Sequence, residues 1–200
     1  MVSIKTTHAL QRLFLHASCP SASVLPKAIS LFVMCTFVGI AHAQAPLALE
    51  DLINNDGSID VGDKTFGNFS FLPNGIDPAT VDVLPNLDDA NSPGLDFVFN
   101  TPVQNTSFDL FFMITSNAGN TINGASLELT SFSGDVSGFA NLEDSASMPL
   151  VFLSVDENSS FEEIGINPIQ QSLSSQTQLF ADGNSLISGV SQRFFQASPN

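Results

Sequence analysis

From Ser58 onward, apolar and polar residues alternate in short runs separated by Gly, Pro, Asn and Asp. A period of two is the side-chain repeat of a β-strand, and those four residue types favour turns. The alternation predicts strands over 58–61, 65–71, 80–84 and 95–100, with Phe69 and Phe71 on one face and Phe97 and Phe99 on one face. Residues 108–115 differ from the others. Phe108, Leu110, Phe112 and Ile114 fill one face, while Phe111 and Met113 take much of the second. A strand apolar on both faces is expected at the centre of a covered sheet.

Further strands are expected over 125–132, 134–142, 150–155, 161–166, 177–180 and 185–195, with loops over 86–93 and 117–124. Leu47, Leu49, Leu52 and Ile53 have helical spacing, so a short amphipathic helical turn precedes the strands, with Glu50 and Asp51 outward. Asn54-Asn55-Asp56-Gly57 ends it. The predicted class is all-β: an antiparallel two-sheet sandwich of about ten short strands with a short N-terminal helical turn.

One earlier stretch breaks the pattern. Residues 28–40 form a run of 13 residues without a charge, preceded by Lys27 and followed by Ala41-His42-Ala43. A spanning helix needs roughly 20 apolar residues. A basic flank, a short apolar run and small residues at the −3 and −1 positions predict a secretory leader. Residues 1–43 are read as a signal peptide cleaved between Ala43 and Gln44, and 44–200 as a single β-sandwich domain. The expected location is secreted, extracellular or cell-surface associated, with the periplasm as the alternative.

The cut changes the chemistry. Both cysteines and all three histidines lie before Gln44, as do Lys5, Arg12 and Lys27. The remainder keeps Lys64 and Arg193 against 20 carboxylates, a formal charge of −18, with no Cys, His, Trp or Tyr. Disulfides, thiolate or imidazole metal sites, and Ser-His-Asp or Cys-His catalysis are thereby excluded from it. Two cations also predict no nucleic-acid partner and, once the leader is gone, no membrane association. Carboxylates, hydroxyls, amides and backbone groups remain, a ligand set suited to calcium. The 15 phenylalanines are read as core filler, since sugar platforms generally use Trp and Tyr.

Asp56-Gly57-Ser58-Ile59, then Val61-Gly62-Asp63-Lys64-Thr65-Phe66-Gly67-Asn68-Phe69, and near the end Ser185-Leu186-Ile187-Ser188-Gly189-Val190-Ser191-Gln192-Arg193-Phe194, resemble the ectodomains of PEP-CTERM sorting-domain proteins. The likeness covers the two ends of 44–200. It implies a secreted bacterial protein, exopolysaccharide-associated, and brings no catalytic residues. The family's tail of Val-Pro-Glu-Pro, a hydrophobic span and basic residues has no counterpart in Gln196-Ala197-Ser198-Pro199-Asn200. The expectation is an ectodomain without that tail.

Asp51, Asn54, Asp56, Asp60 and Asp63 are the candidate calcium ligands. With Gly57 as sixth position, Leu52 would stand where an EF-hand needs its first ligand, so that loop pattern fails. The competing reading is an Asx-rich turn between helix and strand. Asp88-Asp89, Asp156-Glu157 and Glu162-Glu163 are read as solvated charge, because neighbours on a strand point to opposite faces. Three functions follow: a non-enzymatic surface or matrix protein that partners polysaccharide or other surface proteins; a calcium-dependent glycan- or protein-binding module; and a carboxylate-based polysaccharide hydrolase.

Overall fold

The computed structural model describes residues 45–72, 74–117 and 119–197. The expected leader and the Ala43–Gln44 cut lie outside them. The alternating segments form strands as their period requires: β1 (Leu47–Ala48), β2 (Ile59–Val61), β3 (Lys64–Leu72), β4 (Val81–Asn86), β5 (Gly94–Val103) and β6 (Thr106–Ser116). They continue as β7 (Thr121–Ser133), β8 (Val136–Glu143), β9 (Pro149–Asp156), β10 (Phe161–Gln170), β11 (Ser172–Ala181) and β12 (Leu186–Ala197). Helix α1 (Leu49–Asn54) follows β1 and buries Leu49 and Leu52 while Glu50 and Asp51 face out. No helix among the described residues is long and apolar enough to cross a membrane.

The strands make two antiparallel sheets of six. Sheet A runs β1-β4-β5-β12-β7-β10, and sheet B runs β2-β3-β6-β11-β8-β9. The predicted two-sheet sandwich is thus observed. Several expected loops and boundaries differ: β7 already starts at Thr121, β4 runs through Pro85, β11 extends from Ser172 rather than Thr177, β10 continues to Gln170, and Leu47 lies in β1 rather than in the helical turn. Ladder pairing supplies order there that local residue preferences do not, with the next strand for β4 and with strands far along the chain for β7 and β11.

The core is built from the inward faces, with a phenylalanine cluster at its centre. Phe112 of β6 packs against Phe66 at 6.2 Å, Phe69 at 5.8 Å, Phe97 at 5.9 Å and Phe194 at 6.3 Å between ring centroids. Strict alternation would put Phe66 and Phe69 on opposite faces of β3. A register shift between Gly67 and Ser70, with Asn68 at φ 53°, turns both into the core.

One polar group crosses between the sheets. Gln192 of β12 accepts from Thr177 Oγ1 at 3.0 Å and Ser175 Oγ at 3.1 Å, both on β11. Its own Nε2 donates to Ser175 Oγ at 2.9 Å. All three side chains are buried. Such a network fixes which residues face each other only while it is fully satisfied. Gln192→Leu leaves two hydroxyls without their acceptor and is expected to cost about 2 kcal/mol, read as a lower urea midpoint at unchanged slope.

Candidate functional site

The outer face of sheet B is where the structure departs most from the sequence expectation. Register places side chains on that face in rows across the strands. One row is Ser70, Phe111, Gln176, Asn141 and Phe152, on β3, β6, β11, β8 and β9. The next is Leu72, Asp109, Gln178, Phe139 and Ser154. Phe180 and Ser137 continue it towards Asp156, and Met113, Ser174 and Glu143 lie on the other side.

This face is open. Phe152 is 56% exposed, Leu72 55%, Met113 37% and Phe180 36%. β6 is interior to its sheet, but its second apolar face is uncovered, which corrects the expectation of a strand buried on both sides. Nor are all the phenylalanines core filler. Phe139 stacks on Phe152 at 5.5 Å and 27° between ring planes, and meets Phe180 edge-on at 5.9 Å. The three rings make a continuous apolar shelf on β8, β9 and β11. Contiguous exposed apolar surface on a folded domain marks a place where something binds.

Amides are interleaved with the rings. Asn141 Nδ2 donates to Glu143 Oε1 at 3.0 Å, Gln178 Nε2 donates to Asp109 Oδ1, and Asn68 Nδ2 lies 2.9 Å from Met113 Sδ. These contacts fix the amide groups in place before a ligand arrives. Between Asn68, Phe111, Met113, Glu143, Ser174 and Gln176 lies an open depression of about 290 Å³. A second, of about 220 Å³, adjoins it across Asn68 and Met113 and reaches Asp56 and Thr65. Arg193, half-buried, faces Asp88 at 3.7 Å, and Lys64 is wholly buried, so neither cation stands on the open face.

The five candidate calcium ligands are not gathered. Among the described residues no three His, Cys, Asp or Glu side chains form a group able to hold a metal ion. Asp51 and Asn54 are exposed on the outer side of α1, where Asn55 Nδ2 donates to the Asp51 carbonyl at 2.8 Å. Asp56 sits at φ 48° in the turn, with Gly57 N–H donating to the Leu52 carbonyl at 2.8 Å. That is the Asx-rich turn that competed with the metal reading. Asp60 accepts from Thr65 Oγ1 at 2.6 Å. Asp63 is held by Lys64 Nζ at 2.6 and 2.7 Å, so a side chain of the protein already occupies both oxygens of the carboxylate a cation would need.

No family model matches the sequence, and no curated protein matches it. Solved structures similar to this chain include an arabinose-bound α-L-arabinofuranosidase, MgGH51, at 15% identity and TM-score 0.33, over 66% of this chain and 23% of that one. The enzymatically active domain of bacteriophage CBA120 tailspike protein 4 is similar at 8% identity and TM-score 0.34, over 69% and 20%. TmCBM61 in complex with β-1,4-galactotriose is similar at 12% identity and TM-score 0.35, over 76% and 98%. The chain spans less than a quarter of the length of the first two.

Proposed function

We propose that this chain is a non-enzymatic glycan-binding module of a secreted surface or matrix protein, and that it holds an uncharged polysaccharide against the open face of sheet B. The observation that carries the reading is the shelf of Phe139, Phe152 and Phe180 interleaved with Asn141, Gln176 and Gln178. Sugar rings offer C–H faces to an aromatic surface and hydroxyls to amides, and this face supplies both partners in adjacent rows. Asp109 and Glu143 beside the amides, with no cation among them, favour a neutral chain over one bearing uronate or sulfate. Neighbouring strands lie about 4.8 Å apart, so a five-strand row is roughly 19 Å long and admits about four sugar rings.

The absence of His and Cys after residue 43 supports binding rather than acyl or thiol chemistry. Isothermal titration against neutral and uronate-rich polysaccharides tests the reading. Phe152→Ala is expected to weaken binding to a neutral glycan about tenfold, the equivalent of about 1.4 kcal/mol, with the fold unchanged by circular dichroism. A chelator is expected to leave the affinity as it was. Wild-type and variant titrating alike would remove the shelf from the contact, and loss of binding in chelator would restore the calcium-dependent alternative.

A further inference from the structure

Lys64 has no part in the open face, and its position is unusual for a lysine. It is the first residue of β3, and its side chain is fully buried. Its Nζ sits 2.6 Å from Asp63 Oδ1 and 2.7 Å from Asp63 Oδ2. The same Oδ2 accepts from Asn120 Nδ2 at 2.9 Å and from Ser116 Oγ at 3.3 Å. The backbone closes the group: Asn117 N–H donates to the Asp63 carbonyl at 2.7 Å, and Asn120 N–H to the Asn117 carbonyl at 3.2 Å. A primary amine and a carboxamide are therefore held on one carboxylate oxygen, with the amine out of water.

We infer that Lys64 and Asn120 form an intramolecular isopeptide bond, with Asp63 as the proton carrier. Nζ gives a proton to the Asp63 carboxylate, and its freed lone pair attacks Cγ of Asn120. The tetrahedral centre collapses by breaking the Cγ–Nδ2 bond. Asp63 hands its proton to Nδ2, then takes the second proton from Nζ and passes it on as well, so that Nδ2 leaves as ammonium. One C–N bond forms and one breaks, nothing is oxidised or reduced, and Asp63 ends as it began. The shared oxygen touches the two nitrogens between which the proton has to travel. The bond joins β3 of sheet B to the residue immediately before β7 of sheet A, so it ties the two sheets together.

The purified, unmutated protein decides the matter by mass spectrometry. The expected intact mass is lighter than the sequence mass by one ammonia. Trypsin applied to the unfolded chain is expected to leave the bond after Lys64 uncut, because an acylated lysine is no longer its substrate. A chymotryptic digest is expected to yield a branched peptide joining Lys64 to Asn120. Asn120→Ala and Asp63→Ala are each expected to restore cleavage at Lys64 in the unfolded chain, and neither needs to be stably folded for that digest. A wild-type chain at its sequence mass, or a lighter chain that trypsin still cuts after Lys64, overturns the inference.

Discussion

Replacing Phe112 by alanine is expected to lower the unfolding free energy by about 3–5 kcal/mol. Phe112 is 2% exposed and touches four other rings. Three of these, Phe66, Phe97 and Phe194, come from three different strands on both sheets. Truncation removes the apolar contact and leaves a void that rigid strands on two sides cannot close. Chemical denaturation monitored by circular dichroism gives the number. Phe161→Ala is the companion measurement: that ring is 50% exposed on the edge strand β10, and surface changes of this kind usually stay within about 0.5 kcal/mol. Equal losses from the two variants would mean that the central cluster does not organise the core.

Asp63→Ala is expected to cost at least about 3 kcal/mol, because without the proton carrier Lys64 stays unbonded to Asn120 and its ammonium is left buried without a partner. For a domain of this size that corresponds to a fall in Tm of about ten degrees. The loss is expected to persist in high salt, since ions screen buried pairs weakly. The double change Asp63→Asn with Lys64→Met replaces the pair by neutral groups of similar size. It is expected to recover the part of the loss that comes from the buried charge, and not the part that comes from the missing cross-link. A single variant that melts with the wild type would show that Lys64 reaches water in solution.

Alternation located most of the strands because most of them bury one face, and the two-residue period is then imposed by the core. It also placed Leu49 and Leu52 inward on α1 and ended the helix at the Asn-Asp-Gly turn. It could not read the bulge that turns both Phe66 and Phe69 inward, since a single residue at positive φ shifts the parity without changing the composition. Nor could it see what covers a face. Phe111 and Met113 look the same in sequence whether a second layer lies over them or solvent does. Phe139, Phe152 and Phe180 are far apart in the chain, and only the register of β8, β9 and β11 makes them one surface. The same holds for Asp63: as one of five oxygen donors it fits a cation, and only the fold shows Lys64 already occupying it.

The strand order also has a consequence for how the molecule is made. β12 lies in the middle of sheet A, between β5 and β7, and pairs Gly94 with Arg193. Sheet A is thus split until residues 186–197 have been synthesised, and its closure joins segments far apart in sequence. Non-local pairing of this kind folds slowly. Until then the two halves of sheet A cannot close over the apolar face of sheet B. Any factor that recognises an unfolded polypeptide has nearly the whole of that interval in which to engage it.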